Sequence, residues 1–293
     1  MSISSRRIGG KACLFLLMLA GSANFEGYAA PKALAFSLMA MPGNGADCTA
    51  VASGLSVGAP KWCKADELVN DGSFVYSYPI KLPDIVKSVV PEISLNYNSN
   101  GGNGIVGKGF RLEGFPAIER DSAYPVAYGP GDRYALGGQK LVYDGTAGGK
   151  GAFHLEREDF TRIFAYSSSD VVSNEPNTNV SYWAVSKKDG TKWCYGSTPD
   201  SRLTAQDSGG IPRAWALSRV EDTCGNYYSI EYIADCGTLY PKQVIANRST
   251  ADPNSSVVAV GFSYEARTDQ VDQYHTSFSK IKNRLVCISV TMG

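Results

Sequence analysis

The sequence predicts an all-β protein, with many short antiparallel strands and hairpins forming an extended sheet. Three observations carry this. Charged residues are only 19% of the 293, while Gly and Tyr are frequent, a balance that runs against helix-rich proteins. From Gly72 onward, short runs of β-branched and aromatic residues alternate with clusters of Gly, Pro, Asn and Asp. Two segments, SYWAVSKKDGTKWCYG and EDTCGNYYSIEYI, read as hairpins.

In order along the chain, strands are expected at 73–81, 92–98, 110–120, 132–135, 140–143, 153–157, 161–167, 182–186, 192–195, 213–222, 227–233, 241–247 and 257–264, with a last apolar run at 284–290. The first hairpin turns at Asp189-Gly190, which suits a type I′ turn because Gly accepts positive φ and Asp tolerates it. The second turns at Cys224-Gly225-Asn226, after which Tyr228, Ile230 and Tyr232 share one face at period two. A helix fits only at the start of the mature chain. The hairpin texture favours an extended, repetitive sheet over a single closed barrel.

The N-terminus reads as an export signal. Arg6, Arg7 and Lys11 precede the apolar run ACLFLLMLA, which is shorter than the roughly 20 residues a bilayer span needs. Small residues at Gly21-Ser22-Ala23, Gly27-Tyr28-Ala29 and Ala33-Leu34-Ala35 offer cleavage points. Residues 1–29 are therefore assigned to a signal peptide cut within 23–35, 30–70 to a leader or linker, and 71–293 to the β region. The implied destination is secretion. An uncleaved anchor is the competing reading; Cys13 lies at the start of the apolar run and not after it, against a lipoprotein.

Export changes how the cysteines read. Without Cys13, Cys48, Cys63, Cys194, Cys224, Cys236 and Cys287 remain. An even number in an oxidising compartment points to disulfides. Spacing favours Cys48–Cys63 and Cys224–Cys236, leaving Cys194–Cys287, although other connectivities and thiols in a core stay open. No C-x-x-C occurs and only two histidines do, so no metal site is expected. A net charge of zero without a Lys/Arg run argues against nucleic acid.

The most specific stretch is GSFVYSYPIKLPDIVKSVVPEISLNYNSNGGNGIVGKGFRLEGFPAIERD. It resembles the start of the SpvB family, which includes Salmonella virulence-plasmid B proteins and B subunits of insecticidal toxin complexes. The matching residues are Tyr78-Pro79-Ile80, Leu82-Pro83, the run from Pro91 through Tyr97-Asn98-Ser99, then Gly102-Asn103-Gly104, Gly107, Gly109, Phe110, Ile118 and Arg120. Later pieces are also similar: GDRYALGGQKLV with Asp132 and Arg133, FHLEREDFTRI, DGTKWCYG with Asp189 and Gly190, and WALSRVEDTCGNYYSIEY with Gly225 and Asn226. Phe110 stands where Trp is commoner.

The resemblance implies a non-catalytic scaffold, like part of an Rhs-type β shell, with no cofactor. Its implied partners are other toxin-complex subunits, a C-type shell partner and an A-type pore former. An adhesin-like or glycan-binding surface protein is the alternative. Family members continue into further β repeats, so the chain is expected to be truncated at its C-terminus, leaving 284–290 as an unpaired edge.

The catalytic readings are weaker. Gly102 to Gly109 lacks the strand-to-helix context of a phosphate loop. SpvB proteins end in an ADP-ribosyltransferase domain that uses a Glu-x-Glu pair, and Glu156-Arg157-Glu158 is the one tempting match. It lies within a scaffold-like segment, where alternating charge on a solvated strand explains it. No G-x-S-x-G occurs, and His154 and His275 read as partly exposed strand or loop residues. Acidic neighbours such as Glu119/Asp121 and Asp269/Asp272 fit a solvated face. Trp183, Trp193 and Trp215 fit core or sheet-face positions better than sugar platforms.

Overall fold

The computed structural model describes residues 72–82, 89–129, 131–167, 180–205, 208–252, 257–275 and 277–293, together with the backbone of two strands near the N-terminus. Those two are β1 (Phe15–Leu16) and β2 (Leu34–Met39). The others are β3 (Val75–Pro79), β4 (Ser94–Asn98), β5 (Phe110–Glu113), β6 (Ala117–Arg120), β7 (Tyr134–Leu136), β8 (Gln139–Ala147), β9 (Lys150–Leu155), β10 (Arg162–Ser167), β11 (Val180–Ser186), β12 (Lys192–Tyr195), β13 (Arg202–Thr204), β14 (Pro212–Glu221), β15 (Asn226–Asp235), β16 (Thr238–Ser249), β17 (Val258–His275) and β18 (Ser277–Met292). Among the described residues the only helical element is a 3₁₀ turn at Pro199–Ser201. The protein is all-β and antiparallel.

The chain builds a small sheet and a large one. β3, β4 and β5 form the small sheet. In the large sheet, β6 through β12 pair in succession, β12 pairs β14, and β14 returns to β6, which closes an eight-stranded barrel. The sheet forks at β14. Residues 214–216 face β6, and residues 219–221 face β15. From there β15, β16, β17, β18, β2 and β1 continue as an extended sheet. The extended sheet expected from sequence is present, but the chain also closes a barrel that the hairpin texture had disfavoured. Closure depends on pairing 117–119 with 214–216, and no local pattern encodes a contact across that separation.

The barrel is filled. Ile118, Ile163, Trp183, Val185 and Trp215 are each at most 1% exposed, and Tyr134 joins them. Trp183 lies 4.9 Å from Tyr134, 5.1 Å from Phe153 and 5.8 Å from Trp215 between ring centroids, all edge-on. Each such pair adds roughly 0.5–1.5 kcal/mol beyond its area. Trp183 and Trp215 are core residues, as expected. On β14, Ala214 to Ser218 are all buried, because both faces of the sheet are covered at the fork.

Several boundaries differ from expectation. The strand expected at 110–120 is two strands in two sheets, broken at Gly114-Phe115-Pro116. Gly114 has φ +108, and a Cβ there would lie 2.4 Å from the Glu92 carbonyl oxygen. β13 was not foreseen, and β17 runs past 264 to His275. The Asp189-Gly190 turn is not type I′. Gly190 has φ +82 but Asp189 does not share the positive φ. The Gly190 N–H donates to the Lys187 carbonyl and the Lys187 N–H to that of Thr191, so the loop is a type I turn closed by a left-handed Gly.

The edge at 284–290 is not unpaired. Residues 287–290 pair with 37–34 of β2, inside the segment read as leader. The Leu285 N–H donates to the Ile105 carbonyl. The rest of the proposed leader, including the helix expected there, lies outside the described residues.

Candidate functional site

The Gly/Asn stretch works as a clasp between the two sheets. It leaves β4 through Asn98, whose Oδ1 accepts the Asn100 N–H at 2.8 Å. It folds back so that the Asn98 N–H reaches the Gly109 carbonyl and the Gly109 N–H reaches Gly102. Gly109 has φ +80 and lies under Tyr97, whose ring would be 2.6 Å from an added Cβ. Gly107 has φ +135. Phe110, opposite Tyr97 across the β4–β5 ladder, packs tilted against its ring, 4.7 Å between centroids.

The clasp is received by a bulge in β17. Ala266 pairs Asn283, but the next pair is Val271 with Ile281, so the four residues 267–270 of β17 oppose Lys282 alone. The bulge turns Arg267 inward until its side chain is 1% exposed. Its guanidinium donates to the Gly104 carbonyl at 2.8 Å, the Asn103 Oδ1 at 2.7 Å, and both Asp269 oxygens at 2.9 and 2.8 Å. The Asn103 amide completes the ring, donating to Asp269 Oδ2 at 3.1 Å. Hydrogen bonding from Arg267 holds the Asp269 carboxyl far below the usual carboxylate range. Asn103 and Gly104, named from sequence, thus meet Arg267 and Asp269, while Gly102 stays within the loop and accepts the Gly109 N–H. Asp269 had been weighed as a solvated acid, and Arg267 was not singled out. The available signal was the break in apolar alternation at ARTDQ.

A second buried group sits at the barrel seam. Arg120 and Asp132 form an ion pair with side chains 0% and 2% exposed. The Arg120 Nε also donates to the Pro212 carbonyl at 3.0 Å, and Asp132 Oδ1 accepts the Ala127 N–H at 2.9 Å. The guanidinium lies 5.4 Å from the Tyr134 ring and 5.7 Å from that of Trp215. One residue pair therefore ties β6, the loop into β7 and the start of β14. Burial raises the Tyr134 phenol, and Arg120 opposes that shift. Arg133 points outward onto Tyr124, 4.0 Å from its ring.

The remaining motif residues form turns and docking surfaces. At Asp189, Oδ1 accepts the Thr191 N–H and hydroxyl at 2.9 and 2.7 Å. Asp222 does the same at the next hairpin, accepting from the Cys224 and Asn226 N–H groups and from the Asn226 side chain, each at 2.8 Å, with Gly225 at φ +78. Tyr78 and Leu82 pack against the core. Pro79 lines an open cleft of about 840 Å³ between the small sheet and the β11–β12 hairpin, with Glu92, Glu113, Lys187, Asp189 and Trp193. One face of Trp193 is covered by the Lys187 ammonium, 3.4 Å from the ring centroid. Burial lowers the Lys187 pKa. Pro83 lies outside the described residues.

Among the described residues the expected Cys224–Cys236 and Cys194–Cys287 disulfides are not formed. Cys194, Cys224, Cys236 and Cys287 are thiols. Cys224 and Cys236 occupy turns at opposite ends of β15, and a strand of that length holds its ends about 30 Å apart. Cys194 and Cys287 sit on β12 and β18, with β14, β15, β16 and β17 between them. A disulfide needs Cα atoms within about 7 Å. Cys48 and Cys63 lie outside the described residues.

The catalytic candidates do not converge. Glu156-Arg157-Glu158 lie in the exposed turn after β9, where Glu158 accepts the Phe160 N–H. His154 is on β9 and pairs with Asp144 at 2.6 Å, partly exposed.

A filled antiparallel barrel, extended by a long-hairpin sheet and clasped by a glycine loop, defines a class of all-β domain. The family model described as Salmonella virulence plasmid 65kDa B protein, SpvB, matches residues 69–289, and the chain belongs to that family. The N-terminal domain of effector protein SpvB from Salmonella typhimurium strain LT2 is similar in fold, with TM-score 0.58, 16% identity, and 71% of this chain and 84% of that one covered. The Tc holotoxin pore of Photorhabdus luminescens contains a similar region, with TM-score 0.59 and 16% identity over 73% of this chain but 12% of that one. A TcdB2-TccC3 structure matches 78% of this chain and 14% of its own, with TM-score 0.56 and 15% identity. The chain thus spans most of the SpvB domain and a small part of the Tc chains. Comparison with the curated proteins finds no match.

Proposed function

We propose that this chain is a non-catalytic structural scaffold of a secreted bacterial toxin or virulence protein, equivalent to the shell-forming N-terminal part of toxin-complex B subunits. What carries the reading is where the family's polar motif residues point. Asn103, Arg120, Asp132, Asp189 and Asn226 each close onto protein groups that hold strands, loops or turns together. Family membership and the likeness to toxin domains support the same role. The partners it implies are a C-type shell subunit and an A-type pore former. Export rests on the basic and apolar pattern of residues 6–20.

The test is a transferase assay on the purified full chain with NAD and actin. No nicotinamide release and no labelling of actin are expected. Turnover that disappears in Glu158→Gln would replace the scaffold with an ADP-ribosyltransferase.

A further inference from the structure

We propose that the cleft between the small sheet and the β11–β12 hairpin binds an arginine side chain presented by an extended segment of another protein. The guanidinium stacks on Trp193 in place of the Lys187 ammonium and pairs with Glu92 and Glu113. The two walls of the cleft are cross-strand rows. On the large sheet, Trp193 of β12 pairs with Val220 of β14, which pairs with Tyr228 of β15, and all three line the cleft. On the small sheet, Pro79 of β3 pairs with Ser94 of β4, which pairs with Glu113 of β5, and these line the opposite side. The first wall is aromatic and apolar, and the second carries the negative charge.

That charge is unbalanced. Glu92, Glu113 and Asp189 line the cleft against Lys187 alone. Asp189 Oδ1 is occupied by the Thr191 N–H and hydroxyl. Among the described residues, neither Glu92 nor Glu113 has an ion-pair partner. Glu92 is exposed and Glu113 half-buried, so both are open to a ligand. Two carboxylates without partners beside an apolar wall complement a cation carried on an apolar stem, which is the make-up of Lys and Arg side chains.

Lys187 already shows the mode of binding. Its ammonium sits 3.4 Å from the Trp193 ring centroid, and the charges of Asp189 and Glu92 favour it there. It is an imperfect occupant, because partial burial works against its charge. An ammonium is also a compact, strongly hydrated group. A guanidinium is planar and more weakly hydrated, stacks on indole, and can pair with a carboxylate through two parallel N–H groups. An incoming arginine therefore holds the ring better than Lys187 does, and Lys187 regains its hydration on leaving. The volume of about 840 Å³ is that of a site for a ligand larger than one side chain, which leaves room for backbone on either side of the arginine. The site is independent of the scaffold role, whatever the chain assembles with.

The experiment titrates the purified full chain at low salt with three acetylated and amidated pentapeptides, Ala-Ala-X-Ala-Ala, in which X is arginine, lysine or citrulline. Binding is read by calorimetry and by saturation transfer to the peptide. The arginine peptide should bind saturably, more tightly than the lysine peptide and at least about tenfold more tightly than the citrulline peptide, which keeps the shape without the charge. Glu92→Gln with Glu113→Gln should weaken it about tenfold or more. Lys187→Ala removes the resident cation and should strengthen it. The peptide series uses the wild-type chain, so it decides the matter even where a variant unfolds. No saturable binding of the arginine peptide, equal binding of the citrulline peptide, undiminished affinity in the double Gln variant, or weaker binding in Lys187→Ala would each overturn the site. Equal affinity for the lysine and arginine peptides would overturn the choice of a guanidinium.

Discussion

Arg267 donates to the Asn103 side chain at 2.7 Å across 164 residues of sequence, and this contact joins the small sheet to the long β17–β18 hairpin. The guanidinium is buried while the Asp269 carboxylate beside it is 60% exposed, so Arg267 is the structural centre of the clasp and Asp269 its counter-charge. Arg267→Ala removes hydrogen bonds to Gly104, Asn103 and Asp269 together. A loss of about 2–3 kcal/mol in urea unfolding is expected, with about 1 kcal/mol for Asn103→Ala. Equal and negligible effects of both changes would mean the sheets are held by apolar packing alone.

The Arg120–Asp132 pair gives a different pattern. Asp132→Ala leaves a buried guanidinium without its counter-charge, at a cost of about 3–5 kcal/mol. The double change Arg120→Met with Asp132→Leu should be less damaging than either single change, because no buried charge remains. A double mutant at least as unstable as the sum of the singles would show that the pair's geometry, and not its charge balance, secures the barrel seam.

Gly114 tests the break between β5 and β6. Its φ of +108 and the 2.4 Å approach of the Glu92 carbonyl both oppose a side chain. Gly190 has a comparable φ, but its added Cβ would meet the movable Thr223 side chain. Gly114→Ala should therefore lower Tm more than Gly190→Ala. The reverse order would contradict the backbone crossing described for residues 113–117.

Stability should fall at both ends of the pH scale. Asp269 is held well below its unfolded value, so its contribution is fully present above about pH 4 and is lost as pH falls further. Solvent screening keeps that contribution small. Asp269→Asn should flatten the acid limb. Burial holds the Tyr195, Tyr228, Tyr232 and Tyr264 phenols well above their ordinary value near 10. Their contribution is complete below about pH 10 and is lost as pH rises through the folded values. Ultraviolet titration should show these phenols ionising late and together with unfolding; smooth titration near pH 10 would place them in solvent.

Alkylation followed by mass spectrometry without reductant checks the cysteines. Cys194, Cys224, Cys236 and Cys287 should all be recovered as alkylated thiols after unfolding. A Cys224–Cys236 disulfide would require the two ends of β15 to meet and would refute the strand.

Much of this fold was legible because strand period and turn chemistry are local. The strand at 192–195 follows from KWCY after a Gly turn, and the Asp222 loop follows from its Asp-x-x-Gly-Asn spacing. The barrel closure was not, since 117–119 and 214–216 carry nothing that names each other as partners. The clasp was half legible. Glycine and asparagine announced a tight loop. Cysteine spacing misled for a physical reason: the short separation between Cys224 and Cys236 is filled by a fully extended strand.

The most direct test of the scaffold reading is assembly. The purified full chain, wild type and Arg267→Ala, is sedimented with C-type and A-type toxin-complex subunits, the partners proposed above. Co-sedimentation of the wild type in a defined ratio, weakened when the clasp is removed, is the predicted result. A wild-type chain that is folded yet sediments alone with every such subunit at all concentrations would contradict the account.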